Sequence, residues 1–429
     1  MKKKIFLFAA VLLLSAVGAF AQGGQTGPLT WKIEDGTLTI SGEGEMPDYP
    51  GVDDIPWYEY RMSVHTLVVE PGITTIGNRA FVYFRNMETA ILPNGITKIG
   101  VYAFGWCVTL PSIVIPNSVT TIETYAFSHC IGIVSITIPA NVAWIGEAAF
   151  WYCTGLISID VESENKHYMS ENGVLFDKDK TTLFCFPAGR AGEYIVPAGI
   201  TTIGHSAFAI CFELVSVILP NSVTTIGNWA FYYCGKLTSV NIPDGVTKIE
   251  DFTFSGCISL PSITIPNSVT TIGAYAFSRC ESLPSITIPE SVTTIEERAF
   301  GGCITLSSIT IPDSVTEIGE GAFYGCYALT SVTLPNSITS IAEGAFFDCI
   351  TLPSITIPES VTTIGDAAFA SCVELDSIVI PNSVTTIGSC LFWGCWSLTS
   401  VVLSENMTST GDSTFRMCFF CLLSPFPRV

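Results

Sequence analysis

Leu260-Pro-Ser-Ile-Thr-Ile-Pro-Asn-Ser-Val-Thr-Thr-Ile-Gly-Ala-Tyr-Ala-Phe-Ser-Arg-Cys280 returns almost unchanged as Leu283 to Cys303 and again as Leu306 to Cys326. Its Phe277 is the clearest marker. Counterparts stand at Phe81, Phe104, Phe127 and Phe150, then at Phe208, Phe231, Phe254, Phe300, Phe323, Phe346, Phe369, Phe392 and Phe415. Each step is 23 residues except that from Phe150 to Phe208, which is 58. A fixed period of this size marks a solenoid, in which each coil covers the apolar side of the next and stability comes from stacking.

Within one coil, Leu260-x-x-Ile263-x-Ile265 follows the leucine-rich repeat pattern, those three side chains pointing inward from a short strand. Pro266 ends the strand because it has no N–H for the ladder. Asn267-Ser268 turn the chain, and Val269-Thr270-Thr271-Ile272 predicts a second short strand. Gly273 permits a further turn, and Ala276-Phe277 to Cys280 is long enough for one helical or 3₁₀ turn on the convex side. The first strand recurs from Thr66 to Leu403 in fifteen slots. The expected fold is a β-rich leucine-rich repeat solenoid with a parallel sheet of about fifteen short strands.

The flanks read differently. Lys2-Lys3-Lys4, the apolar run Ile5 to Val17 and Ala19-Phe20-Ala21 have the form of a signal peptide over 1–21. Residues 22–62 are expected to be an N-terminal cap, since Leu29 to Ser41 alternates apolar and polar around the hairpin turn Asp35-Gly36. Residues 63–429 form the solenoid. The long step leaves 35 residues beyond one period of 23. Gly173 to Phe176 and Thr181 to Phe186 flank Asp177 to Lys180 there, predicting a hairpin insertion near 162–192 that projects from the array. The end, 419–429, is irregular.

Hydrophobic residues make up 48% of the 429 and charged residues only 13%, so the solvated surface must be built largely from Ser, Thr, Asn and Gly. The formal charge is −20. Loss of the leader's three lysines takes 18 basic residues to 15 against 38 acids, a charge of −23. Such a surface repels phosphate backbones and anionic lipid, which argues against nucleic acid and peripheral membrane partners. No later apolar run is long enough for a membrane span after signal removal.

Thirteen of the sixteen cysteines, from Cys107 to Cys418, lie three residues after the marker Phe. Side chains stacked in parallel would hold their Cβ atoms about 4.8 Å apart, beyond the usual disulfide range, so these read as buried, inert thiols. His65, His129, His167 and His205 read as isolated coil-surface residues, and no nucleophile or metal motif surrounds them. Cys418-Phe-Phe-Cys421 has redox spacing without a strand-to-helix context. No catalytic, cofactor or metal residue is assigned, and the chain reads as a non-enzyme.

Two surfaces remain. The outward strand positions form a Ser-x-Thr stripe, giving Ser262, Thr264, Ser285, Thr287, Ser308, Thr310, Thr333 and Thr356 as candidate partner-binding residues, although β-propensity alone would also place them there. Elsewhere the Thr slot holds Val114, Asp160, Ile218, Asn241 or Val379. Beside the Phe turn, Trp106, Trp151, Tyr152, Tyr232, Tyr233 and Trp393 fit either an interface or packing between adjacent turns.

The unit Leu-x-x-Ile-x-Ile-Pro-x-x-Val-x-x-Ile-Gly-x-x-Ala-Phe-x-x-Cys resembles the BspA-type leucine-rich repeats of bacterial surface proteins, also found in some protozoan parasites, over roughly residues 63–418. Gly173 to Pro197, and Leu29 to Ile40 followed by Pro56-Trp57-Tyr58, also resemble segments that recur in that family. The resemblance implies a secreted or cell-surface, adhesin-like protein whose partners are proteins, host extracellular matrix or other bacterial cells. A structural spacer of the envelope is the alternative, and an ice-binding Ser-x-Thr face a remoter one.

Overall fold

A computed structural model of the chain describes residues 22–418 and the backbone of 422–423. The signal peptide expected over 1–21, Cys421 of the redox spacing and most of the irregular end 419–429 lie outside the described residues. Strand β1 (Gln22–Thr26), β2 (Leu29–Glu34) and β3 (Thr37–Gly42) form an antiparallel meander. The third strand then pairs in parallel with Thr66–Val69, which pairs with Thr89–Ile91, so the meander runs directly into the coil stack.

Each coil contributes two rungs. The Val-x-x-Ile segment forms one parallel ladder, as in Lys248–Ile249, Thr271–Ile272, Thr294–Ile295 and Glu317–Ile318, always in register at 23 residues. The Leu-x-x-Ile-x-Ile segment forms the other, as in Ser308–Thr310 against Ser331–Thr333 and Ser377–Val379 against Ser400–Val402. This second ladder continues past the last full coil, because Leu422–Leu423 pairs in parallel with Ser400 and Val401 where an irregular end was expected.

Proline interrupts that ladder. No strand forms in the coils whose Ser-x-x-Ile segment has proline at both ends: Pro111 and Pro116, Pro261 and Pro266, Pro284 and Pro289, Pro353 and Pro358. In these four, a single bridge from Ser285 to Ser308 is what remains of the pairing. The downstream proline is tolerated everywhere. The upstream one removes the N–H that Thr238, Thr330 and Thr399 donate to Val215, Ser307 and Asp376 of the preceding coil. The sheet is thus a chain of short segments. The inward isoleucines hold their place regardless, with Ile263 and Ile286 still buried.

The core is a column of rings. Phe254, Phe277, Phe300, Phe323, Phe346 and Phe369 lie 5.4 to 5.7 Å apart with interplanar angles of 8° or less. The repeated cysteine serves this column. Cys280 Sγ donates to Phe254 O at 3.3 Å and Cys303 Sγ to Phe277 O at 3.2 Å, a contact repeated 26 residues apart in most coils from Cys107 on. Thiol is therefore selected as a small apolar group that also satisfies a buried carbonyl.

The Phe turn differs from the helical turn expected. Among the described residues the only 3₁₀ segments are Val52–Asp54 and Tyr58–Tyr60, ahead of the coils. The turn instead places the residues two before and two after Phe in the left-handed region, as with Tyr102 (φ 54°) and Trp106 (φ 60°) around Phe104. This costs roughly 1–2 kcal/mol for each non-glycine residue. Inter-coil bonding offsets it: Trp229, Phe231 and Tyr233 N–H donate to Asp251, Thr253 and Ser255 carbonyls of the next coil at 2.8 to 3.0 Å.

The insertion does not project. Tyr168–Glu171, Val174–Asp177 and Thr182–Cys185 form an antiparallel meander whose last strand pairs in parallel with Thr202–Ile203. Val174, Leu175, Phe176 and Leu183 are fully buried. Val174 and Phe176 pack into the downstream core and Leu175 into the upstream one. A strand apolar on both faces cannot stand in solvent, so it becomes an extra layer of the stack. It divides the core in two.

Candidate functional site

The sequence-predicted stripe lies together on one face. Ser262, Thr264, Ser285, Thr287, Ser308, Thr310, Thr333 and Thr356 are all exposed. Pairing fixes Ser308 beside Ser331 and Thr310 beside Thr333, one coil apart. Downstream the stripe ends in apolar residues at the same slot, Val379 (60% exposed) and Val402; upstream Asn241 follows Thr264 before Ile218 and Ile195, and Asp160 and Thr137 stand between these and Val114 (80%). A rigid face with hydroxyls at its centre and apolar ends can bury area against a protein with little desolvation of charge.

The second feature lies where the insertion enters the stack. On the Phe-turn side, the slot two residues before Phe carries Tyr102, Tyr125 and Ala148 ahead of the inserted layer and Ser206, Trp229, Phe252 and Tyr275 after it. The rings stack, Tyr102 on Tyr125 at 4.9 Å and 6°, Trp229 on Phe252 at 4.1 Å and 14°, Phe252 on Tyr275 at 4.6 Å and 5°. Ala148 and Ser206 leave a gap two turns wide. Trp151 stands across it, edge-on to Tyr125 (6.4 Å, 86°) and to Trp229 (5.9 Å, 76°).

This gap is a pocket of about 170 Å³ lined by those rings with Trp106, His129, His205 and Ser206. Behind it, sharing Trp151, His205 and Ser206, is a cavity of about 120 Å³ whose apolar wall includes Phe150, Leu175, Phe184 and Phe186. Two histidines that read from the sequence as isolated are thus brought to one site. His129 is stacked between Trp106 (4.1 Å) and Tyr152 (4.6 Å), with Ser128 Oγ 2.8 Å from Nδ1. Burial holds its pKa below the usual histidine value. His205 is lowered by burial too, opposed by Glu147, whose Oε2 is 4.0 Å from Nδ1.

Ser206 Oγ is buried in the wall and has no hydrogen-bond partner in the protein. Of the aromatics singled out in the sequence, Trp106, Trp151, Tyr152 and Tyr232 pack against neighbouring turns, and Trp151 also borders the gap. Sequence reasoning does not reach the gap itself. The signal that could have found it is the pair of small residues set between two runs of rings, Tyr102 and Tyr125 before and Trp229, Phe252 and Tyr275 after, although small residues also hold this slot from Gly321 to Ser413.

Among the described residues no group of three or more His, Cys, Asp or Glu is arranged to hold a metal, and no helix is long and apolar enough to cross a membrane. Burial raises the thiols of Cys257, Cys280 and Cys326 well above their ordinary value, and those of Cys303 and Cys372 to about 12, leaving them protonated and unreactive.

The BspA type leucine rich repeat region matches in six copies, over residues 74–176, 183–307 and 316–422. No curated protein matches the chain. Among solved structures, a leucine-rich repeat protein from Eubacterium ventriosum is 28% identical, with a TM-score of 0.63 over 81% of this chain and 93% of its own. One from Bacteroides ovatus is also 28% identical, with a TM-score of 0.53 over 92% of each chain. With its repeats matched over most of its length, this chain belongs to the BspA-type leucine-rich repeat family.

Proposed function

We propose that the chain is an exported, adhesin-like binding protein that engages proteins of host matrix or of neighbouring cells through its strand face, without catalysis. The observation that carries this reading is the exposed stripe Thr264 to Thr356, bounded at its own slot by exposed Val379 downstream and by Asn241 and then exposed Ile218 upstream. The solenoid is a scaffold for protein interaction. An overall charge of −20 favours a partner surface that is neutral or basic.

The test uses the exported chain against immobilised fibronectin, fibrinogen and whole bacterial cells. Saturable binding is expected, and Thr287→Lys, Thr310→Lys and Thr333→Lys together should abolish it while circular dichroism is unchanged. Absence of any partner, or binding indifferent to that triple variant, would remove the adhesin reading. Indifference combined with loss of function on deleting whole coils would favour the envelope spacer.

A further inference from the structure

The gap between Tyr125 and Trp229 has the features of a ligand site that is independent of the strand face. Tyr125 is stacked on one side by Tyr102 and Trp229 on one side by Phe252, while Trp151, itself stacked on Tyr232, stands nearly perpendicular to both across the gap and Tyr232 packs against Trp229 at 4.5 Å. Ring surface is thus left facing an open pocket of about 170 Å³. Polar groups border the same space: His205, held neutral by burial, Ser206 Oγ without a protein partner, and Ser128. No lysine or arginine lines either cavity.

We propose that this gap binds a neutral pyranose carrying an apolar substituent, of which an N-acetylhexosamine is the common form. A pyranose is amphipathic, with C–H groups on its faces and hydroxyls at its edge. It therefore matches aromatic faces bordered by hydrogen-bonding groups, among which the Glu147 carboxylate of the deeper cavity is the one charged acceptor. The absence of a lining cation, and the net charge of −20, work against sialylated or sulfated sugars. The deeper cavity of about 120 Å³, walled by Phe150, Leu175, Phe184 and Phe186, receives the acetamido methyl.

Within the aromatic part of the stack, from Tyr102 to Tyr275, two residues open the gap. Ala148 (φ 53°) and Ser206 (φ 55°) occupy a backbone conformation that Tyr125 (φ 59°) and Trp229 (φ 61°) adopt with full rings. The backbone therefore accepts a ring at each of these two positions.

The experiment follows from that equivalence. Intrinsic tryptophan fluorescence and saturation-transfer NMR of the exported chain are recorded with N-acetylglucosamine, N-acetylgalactosamine, glucose, sialic acid and choline. An N-acetylhexosamine is expected to perturb the tryptophans saturably at millimolar concentration, more tightly than glucose, with no response to sialic acid. Ala148→Tyr with Ser206→Tyr should fill the gap and weaken binding about tenfold or more, and Trp229→Ala should do the same. Neither should alter binding at the strand face.

Pull-down by peptidoglycan and by a glycoprotein with terminal N-acetylhexosamine then distinguishes a bacterial from a host source of the same sugar. Response to none of the N-acetyl sugars, preference for choline or for glucose, or full binding by the gap-filled double variant would overturn the proposal. The triple lysine variant of the strand face should leave the sugar response intact, so the two readings fail separately.

Discussion

Trp57 Nε1 donates to Ala80 O at 2.7 Å while its ring stacks on Phe81, 5.8 Å away and 20° from parallel. In later coils the carbonyl before Phe accepts the N–H of the preceding coil's Phe, as Ala103 O does from Phe81 and Ala126 O from Phe104. The first coil has no predecessor. The indole supplies both what a preceding Phe ring and what a preceding Phe N–H would supply, and Tyr49 N–H does the same for Asn78 O at 3.1 Å. A residue that ends a one-dimensional stack in this way should control the stability of its first coils above all.

Trp57→Phe keeps a ring over Phe81 but leaves the buried Ala80 carbonyl without a donor, an expected loss of about 1–3 kcal/mol. Trp57→Ala removes both and should cost about 3–5 kcal/mol. Hydrogen exchange read by mass spectrometry should show protection falling over residues 66–104, with residues 300–400 unaffected. A loss spread evenly along the chain would mean that the stack does not behave as separable coils.

The buried thiols make alkaline stability a measurable property of the cysteine column. Their folded pKa values lie above the unfolded one, with Cys303 and Cys372 near 12. Below about pH 8.5 neither state ionises and the contribution is complete. Between there and about pH 12 the unfolded chain releases protons that the folded chain retains, so stability falls by about 1.4 kcal/mol per pH unit for each such thiol. Urea midpoints from pH 8 to 11 should therefore drop steeply, and Cys303→Ala with Cys372→Ala should flatten the slope by two thiols' worth. An unchanged slope would mean that the column ionises as it does in water.

Glycine and alanine exchange sign at one slot of the turn. Gly344 (φ 57°) and Ala367 (φ 51°) each stand two residues before a core Phe. A Cβ on Gly344 would meet nothing closer than Phe347 Cβ at 3.8 Å, so conformation rather than contact decides the outcome. Gly344→Ala should destabilise and Ala367→Gly should stabilise, each by about 1 kcal/mol or less, because the more flexible unfolded chain of the glycine form offsets part of the left-handed strain in both cases. Thermal midpoints of the two variants moving in the same direction would contradict the left-handed assignment.

What is legible in the sequence follows from repetition. Phe277, Cys280 and the pair Val269 and Ile272 recur at fixed spacing, and spacing alone is enough to place them inward. The prolines are half legible: Pro266 reads as a strand terminator, but the effect of Pro261 depends on a donor needed by the coil behind it. The turn reads as helical because Tyr102 and Trp106 are poor candidates for positive φ, and only inter-coil bonds from neighbouring N–H groups explain why they adopt it. Gly173 to Phe186 looks like a surface hairpin because its turn is polar, while Leu175 and Phe176 bury in opposite directions. The gap at Ala148 and Ser206 is hidden for a related reason. Small residues hold the same slot at Gly321, Gly344 and Ala367, so Ala148 and Ser206 mark a gap only once the rings on either side are seen to stack.

His129 and His205 extend the same logic to acid. Both are held below the ordinary histidine value of 6.5 by burial, and Glu147 opposes that effect at His205 only. Because the folded pKa values are depressed, the stability these neutral rings contribute is present above pH 6.5 and lost as pH falls through the folded values. Imidazole C–H resonances of both should titrate with midpoints below 6.5. Glu147→Gln removes the carboxylate that favours the charged form, so the His205 midpoint should fall further while that of His129, stacked between Trp106 and Tyr152, stays in place. A His205 midpoint indifferent to Glu147 would show that the two side chains do not face each other across the break in the stack.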